Sequence, residues 1–228
     1  MKVWVYEQPR EVPAADFRDY LDPATTAVIS IDMHRGHLED SPDCPCPAPR
    51  ARDVVEPINA FHREARTLGV PIVHVKSVLR AGGADDLAGI PAAWRRTFPL
   101  HVGPIPNAAA HAIEGSPWTE WVTEVLPQDL RVENKRRLSA FYPTDLDFLL
   151  RNQRITTVVF DGGFTDCCVL NSAFDANNLN YRVIVLRDLV RGTDDPLESA
   201  ALSMVSLHLG LVMDSQDLLA GWKQGFEA

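Results

Sequence analysis

Six short strand-like runs, several of them apolar throughout and rich in β-branched residues, recur along the chain with helix-patterned segments between them, and this alternation decides the fold class. The runs are TTAVISID (25–32), VPIVHVKS (70–77), LRVENK (130–135), ITTVVFDG (155–162), YRVIVLRD (181–188) and LGLVM (209–213). Strands that are apolar throughout and alternate with helices belong to a mostly parallel sheet covered on both faces. Helices are expected over 51–69, ending at Gly69, and over 116–126, where Ser116 and Pro117 form a cap and first-turn pair. Others are expected over 144–154, 165–180, 195–209 and 214–222. The predicted fold is α/β, a single three-layer α/β/α domain over residues 1–228 with a six-stranded, mostly parallel sheet. Residues 1–24 form an N-terminal extension. The irregular stretch 78–116, which carries Trp94, is too long for a simple connection and is expected to line a pocket.

Composition excludes several function classes. Lys and Arg number 22 against 31 Asp and Glu, a formal charge of −9. A phosphate backbone or anionic lipid surface demands the opposite balance, so neither nucleic acid nor membrane is an expected partner. No apolar run reaches the length of a membrane span, and the N-terminus lacks a signal-peptide core. Four cysteines in 228 residues do not make a disulfide scaffold. They read as reduced thiols of a cytoplasmic protein that handles a small molecule. We further expect a homo-oligomer, dimer or tetramer. No Gly-x-Gly-x-x-Gly follows any strand, so no dinucleotide, and no other cofactor, is expected.

In open α/β sheets, ligands bind beyond the carboxyl ends of the strands. The first strand there ends in Asp32, the third in Lys135, and the fourth runs through a glycine pair into Cys167 and Cys168. A carboxylate, an ammonium and a thiol thus gather on one edge. Thr165 is the expected cap of the helix that follows, and a thiol in the first turn feels the positive end of the helix dipole, which lowers its pKa. Both cysteines lie in that turn, and helical periodicity does not choose between them.

Three motifs, DMHRGHL after the first strand, Lys135 ahead of RRLSAFYPTDLDFLLRNQRITTVVFDG, and GGFTDCCVLNSAFDANNLNYRVIVLRD, together resemble the isochorismatase-like cysteine hydrolases. That family includes nicotinamidases, N-carbamoylsarcosine amidase, ureidoacrylate amidohydrolase and biuret hydrolase. The resemblance spans about residues 25–215. It places the family's Thr-x-x-Cys-Val on Thr165 to Val169, which makes Cys168 the nucleophile. It implies Asp32 as the general base, Lys135 as the group that steadies thiolate and carboxylate, and an oxyanion hole built from the backbone N–H groups of Phe164 and Cys168. It also implies a cis peptide at Gly163–Phe164. The expected activity is hydrolysis of a C–N bond in a small amide, carbamoyl or ureido compound through a thioester, releasing ammonia or amine. The alternatives are an isochorismatase-type vinyl-ether hydrolase, whose family members generally lack the cysteine, and a non-catalytic scaffold of the same fold.

The chain departs from the family pattern where the pocket is expected. His34 and His37 stand where Gln and Phe are usual, and Phe164 stands where a small residue is usual. A polar substrate fits this better than a nicotinamide-like ring. Expected substrate contacts are His34, Arg35, His37, Trp94, Phe141, Thr165 and Arg191, the two arginines as bidentate carboxylate binders. No metal is expected. The nicotinamidase branch carries an Asp-x-His near its second strand, which is missing from IVHVKS. His34, His37, Cys44 and Cys46 could be read as a zinc set, but Cys44 and Cys46, spaced by one residue in SPDCPCPAP, read as part of a rigid exposed loop rather than a zinc loop.

Overall fold

The computed structural model describes residues 1–224; the last four positions of the expected 1–228 domain lie outside the described residues. The elements in chain order are β1 (Lys2–Val5), β2 (Gln8–Glu11), β3 (Thr26–Ile31), α1 (Arg35–Leu38), α2 (Val55–Thr67), β4 (Ile72–Ser77), α3 (Trp94–Val102), β5 (Leu130–Lys135), α4 (Leu146–Asn152), β6 (Thr157–Gly163), α5 (Leu170–Asn178), β7 (Arg182–Arg191), α6 (Asp195–Met204), β8 (Gly210–Met213) and α7 (Ser215–Gln224). The sheet order is β2-β1-β8-β7-β6-β3-β4-β5. All six expected strands are present and mutually parallel.

The strand count differs from the expected six because the N-terminal extension adds a hairpin. Strand β1 pairs antiparallel with β2 and with β8 through Trp4 and Val212. Tyr6 and Glu7 between them both hold positive φ, 50° and 60°, the backbone a two-residue hairpin turn requires.

Burial on both faces explains the unbroken apolar runs. Every residue of β3, β4 and β6 is buried. Ile29, Ile31, Val73, Val75, Val158 and Phe160 pack with Leu146 and Leu150 of α4, Ala173 of α5 and Leu202 of α6. The other face, with Val28, Ile72 and Val159, packs against Ile58 and Phe61 of α2 and Leu218 and Trp222 of α7. These are the three layers expected. Among the described residues no helix is long and apolar enough to cross a membrane.

The expected helices change in four places, two of them minor: Pro49–Val54 is a 3-10 lead-in to α2, and Val205–Leu209 is a π-helical end of α6. Residues 116–126 hold only a 3-10 turn at Pro117–Thr119. The segment is drawn out beside the loop after β3: Arg35 N donates to Glu120 O, Val122 N to Met33 O, and His34 bridges to Trp121. This pairing overrides the Ser-Pro start. Residues 165–169 form a π-helical turn before α5, and their cap is Phe164 without a side-chain hydrogen bond. Thr165 is therefore not the cap; it is buried with its hydroxyl unpartnered.

Candidate active site

Asp32 leaves β3 at the sheet's carboxyl edge with φ of +55°, a left-handed conformation that only a few non-glycine residues adopt and that turns the side chain away from the strand's own row. Lys135 closes β5 and is paired in register with Ser77 at the end of β4. Cys168 lies in the π-helical turn after β6. Just before that turn, Gly162 has φ of +102° and passes so close to Ile31 that a Cβ would stand 2.2 Å from its carbonyl oxygen. Only glycine fits there. The peptide Gly163–Phe164 is cis, as the resemblance implied.

The three expected groups meet. Lys135 Nζ donates to Asp32 Oδ2 at 2.6 Å, to Ser77 Oγ at 2.8 Å and to Cys168 Sγ at 3.3 Å. Asp32 Oδ1 accepts from the Ser77 backbone N–H at 2.6 Å. Ser77 was missed in the sequence; its only signal was its place at the end of a strand, beside two others that end in chemistry. Asp32, Lys135 and Cys168 are 1%, 1% and 6% exposed, so their charges interact with little screening.

Burial alone would push the Asp32 carboxyl up, but the Lys135 ammonium outweighs it and holds it well below the usual carboxylate range. Burial likewise pulls Lys135 down, and the charge of Asp32 and the Cys168 contact more than offset it. The pair is ionised at neutral pH. The Cys168 thiol is pushed up by the Cys167 thiol beside it and by burial, with Lys135 acting the other way. This corrects the expectation of a thiol lowered by the helix dipole. The same contact draws Cys167 down; once one proton leaves the pair, the remaining proton is shared by both sulfurs, and the titration belongs to the pair.

The wall beside this centre is aromatic and polar. The Phe164 ring meets His37 edge-on at 5.3 Å and Phe98 at 5.9 Å, and Trp94 meets His111 at 5.2 Å. Phe141 packs in the core cluster that contains Cys168 and against Tyr181. The two arginines are committed elsewhere: Arg35 to Glu39 and Glu120, and Arg191 to the carbonyls of Val190 and Arg187. Neither is held ready for a substrate carboxylate.

The loop carrying Cys44 and Cys46 is not exposed at its thiols, which are 2% and 7% accessible. It is pinned inward, with Cys46 N and Ala48 N donating to the carbonyls of Gly36 and His37. No expectation placed His111 in the site, yet it joins His34 and His37 in a buried group whose ligand atoms lie within 4.8 Å of one another. It comes from the irregular insert, where no spacing marks it.

The isochorismatase domain model matches residues 26–217. The chain belongs to the isochorismatase family. Maleamate amidohydrolase from Pseudomonas putida is 29% identical over 194 residues, covering 85% of this chain and 84% of that protein. Ureidoacrylate amidohydrolase RutB from Caulobacter vibrioides is 28% identical over 209 residues, covering 86% and 91%. A cysteine hydrolase structure from Pseudomonas syringae superposes with a TM-score of 0.78 at 22% identity, covering 91% of this chain and 96% of that one, and shares the fold. In this isochorismatase-family chain, matched residues 26–217 take in β3 to β8 and all three members of the Asp32, Lys135 and Cys168 group.

Proposed function

We propose that this protein is a cysteine-dependent hydrolase of a C–N bond in a small amide, carbamoyl or ureido compound. The observation that carries the reading is the single ammonium of Lys135 touching both the Asp32 carboxylate and the Cys168 sulfur. A protonated thiol next to an ionised carboxylate suits general-base activation of a nucleophile. Asp32 takes the thiol proton as Cys168 Sγ bonds to the carbonyl carbon. The carbonyl oxygen gains the negative charge and is met by the backbone N–H groups of Phe164 and Cys168, where one donor is worth about 3 kcal/mol. Asp32 returns the proton to the leaving nitrogen, the C–N bond breaks, and a thioester remains. Water, deprotonated by Asp32, then attacks the thioester carbon, and the Cys168 thiol is restored. Lys135 stays an ammonium throughout and stabilises whichever neighbour is negative.

The amidohydrolase names of the relatives support this substrate class. Three buried imidazoles in the wall favour a polar substrate over an apolar ring, which would leave buried polar atoms unpaired at about 1–3 kcal/mol each. The reading extends to one domain whose insert 78–116 lines the pocket, in a homo-oligomer that light scattering would size. The test is a screen of amides and ureides for released ammonia, repeated with Cys168→Ala and Cys167→Ala. We expect Cys168→Ala to lower the rate at least ~1000-fold and Cys167→Ala to keep most of it. Equal losses in the two variants would overturn the assignment.

A further inference from the structure

We propose that His34, His37 and His111 form a three-imidazole site for a first-row divalent metal ion of the zinc class, set beside the Asp32–Lys135 pair. His34 caps the short helix α1 and His37 lies within it, and His111 is brought in by the insert; all three are buried, at 0%, 5% and 7% exposure. Their ring centres are 4.5, 4.9 and 5.9 Å apart.

The protons on two of these rings are fixed by what the rings touch. His34 Nδ1 lies 2.9 Å from the Trp118 carbonyl and His37 Nδ1 lies 2.8 Å from the Cys46 carbonyl. A carbonyl only accepts, so each Nδ1 bears the hydrogen and each Nε2 keeps a lone pair. The Gly36 N–H points at the same His34 Nδ1 as a donor, at 3.2 Å, which calls for the other tautomer; we take the shorter carbonyl contact, at 2.9 Å, to set the proton on Nδ1. An imidazole that donates from one nitrogen to a backbone carbonyl presents the other to a metal, oriented and made more basic.

Those free nitrogens are poorly served by the protein alone. His34 Nε2 is buried without a hydrogen-bond partner, and His37 Nε2 meets only His111 Nε2, at 3.4 Å. The lone pair of His34 Nε2 stands 3.9 Å from Asp32 Oδ1, two electron-rich atoms with no hydrogen between them. A cation among the three rings answers both groups. His37 Nε2 and His111 Nε2 are 3.4 Å apart, about the separation of two ligands on a tetrahedral ion with metal–nitrogen bonds of about 2.0–2.1 Å. The third ligand atom needs a shift on the order of 1 Å.

The donor set names the class of ion. Three neutral nitrogens and no oxygen suit Zn²⁺, Co²⁺ or Ni²⁺ and not Mg²⁺ or Ca²⁺. Three protein ligands leave a fourth position for water or an electron-rich atom of a substrate. Two of these histidines, His34 and His37, follow the first strand and were visible as candidate ligands; the third, His111, comes from a distant insert where no spacing marks it, and the Asp-x-His sought near the second strand is absent.

Binding itself is the test, and it does not depend on the hydrolase reading. The full chain, stripped with a chelator and desalted, is titrated with Zn²⁺ by calorimetry and with Co²⁺ by visible absorption. We expect about one equivalent bound, tetrahedral d–d bands, and no sulfur-to-cobalt charge transfer. His111→Ala should weaken binding about 100-fold, and His34→Gln and His37→Gln should do the same, which keeps the test decisive where one variant fails to fold. Protein with its thiols alkylated should bind as before. Absence of stoichiometric binding, binding unmoved in folded histidine variants, or a thiolate charge-transfer band would overturn the proposal. Ammonia release by the stripped protein, measured separately, tells a wrong metal site from a wrong hydrolase.

Discussion

Lys135 and Asp32 sit in near-complete burial with a hydrogen bond of 2.6 Å, so each is tolerable only because the other is there. Removing one partner of such a pair costs about 3–5 kcal/mol, since a charge is left unpaired in the interior. Lys135→Ala should therefore destabilise the fold by about that much in urea denaturation, as well as stopping turnover. Asp32→Asn leaves the ammonium its contacts to Ser77 and Cys168 and should be the milder change in stability. Their titrations lie at opposite ends of the pH scale. The folded Asp32 carboxyl is depressed, so its contribution exists above the ordinary carboxylate pKa and is lost as pH falls through the folded value. The folded Lys135 is raised, so its contribution exists below the ordinary lysine pKa and is lost as pH rises through the folded value. Between these limits the pair is silent, and the stability curve near neutrality should have no step that Lys135→Met removes.

At the scale of elements, a second polar group crosses the sheet on the α2 face. Asp161 of β6, Ser30 of β3 and His74 of β4 are consecutive register partners, and His62 of α2 bonds Asp161 at 2.8 Å. His74 is faced by His62, Asp129 and the Trp121 ring, and Arg66 pairs with the same Asp129. Burial, then the neighbouring His62, lower its pKa to about 4, against the pull of Asp129. The unfolded chain protonates this residue near pH 6.5 and the folded chain near 4, so stability falls as pH drops through that window, by an amount on the order of 3 kcal/mol. Melting temperatures from pH 7 to 4 should show this slope, and His74→Gln should flatten it; an unchanged slope would place the acid sensitivity elsewhere. Gly162→Ala is the matching steric prediction. A Cβ at 2.2 Å from the Ile31 carbonyl forces β6 away from β3, and loss of soluble folded protein is expected. The elements also show what was readable beforehand. Strands buried on both faces announce themselves by unbroken β-branched runs. The 116–126 segment does not, because its Ser-Pro start is a local signal that pairing with residues 33–35 overrides. The β1–β2 hairpin was hidden because β2 is exposed along its whole length and has no apolar alternation. Asp32, Lys135 and the Cys167–Cys168 pair stood out because each closes or follows a strand, while the choice of Cys168 over Cys167 came only from the family resemblance. Ser77 and His111 act by position alone.

At the scale of the molecule, the parallel sheet brings Asp32, Lys135 and Cys168 together, and in the function proposed above the stretch between β4 and β5 would supply the wall. That stretch is anchored at both ends. Leu79 N donates to Ala112 O and Glu114 N to Leu79 O, while Arg95 pairs with Asp86, both nearly buried, at 2.9 Å. Between the anchors, α3 presents Trp94 against His111 and Phe98 against Phe164, so the insert reaches the residue that precedes the turn carrying Cys168. Trp94 touches none of Asp32, Lys135 or Cys168 through a hydrogen bond; its contribution is shape and apolar area. Removing it should weaken ground-state and transition-state binding alike, which raises KM and leaves kcat nearly unchanged. Truncating an aromatic wall of this kind forfeits about 1.5–3 kcal/mol of burial, so Trp94→Ala should raise KM roughly 10-fold or more with kcat within about 3-fold. Trp94→Phe should recover most of the loss, because it restores a ring against His111. A fall in kcat with KM unmoved would instead mean that the insert aligns the thiol chemistry, and the division of labour between sheet and insert argued here would have to be abandoned.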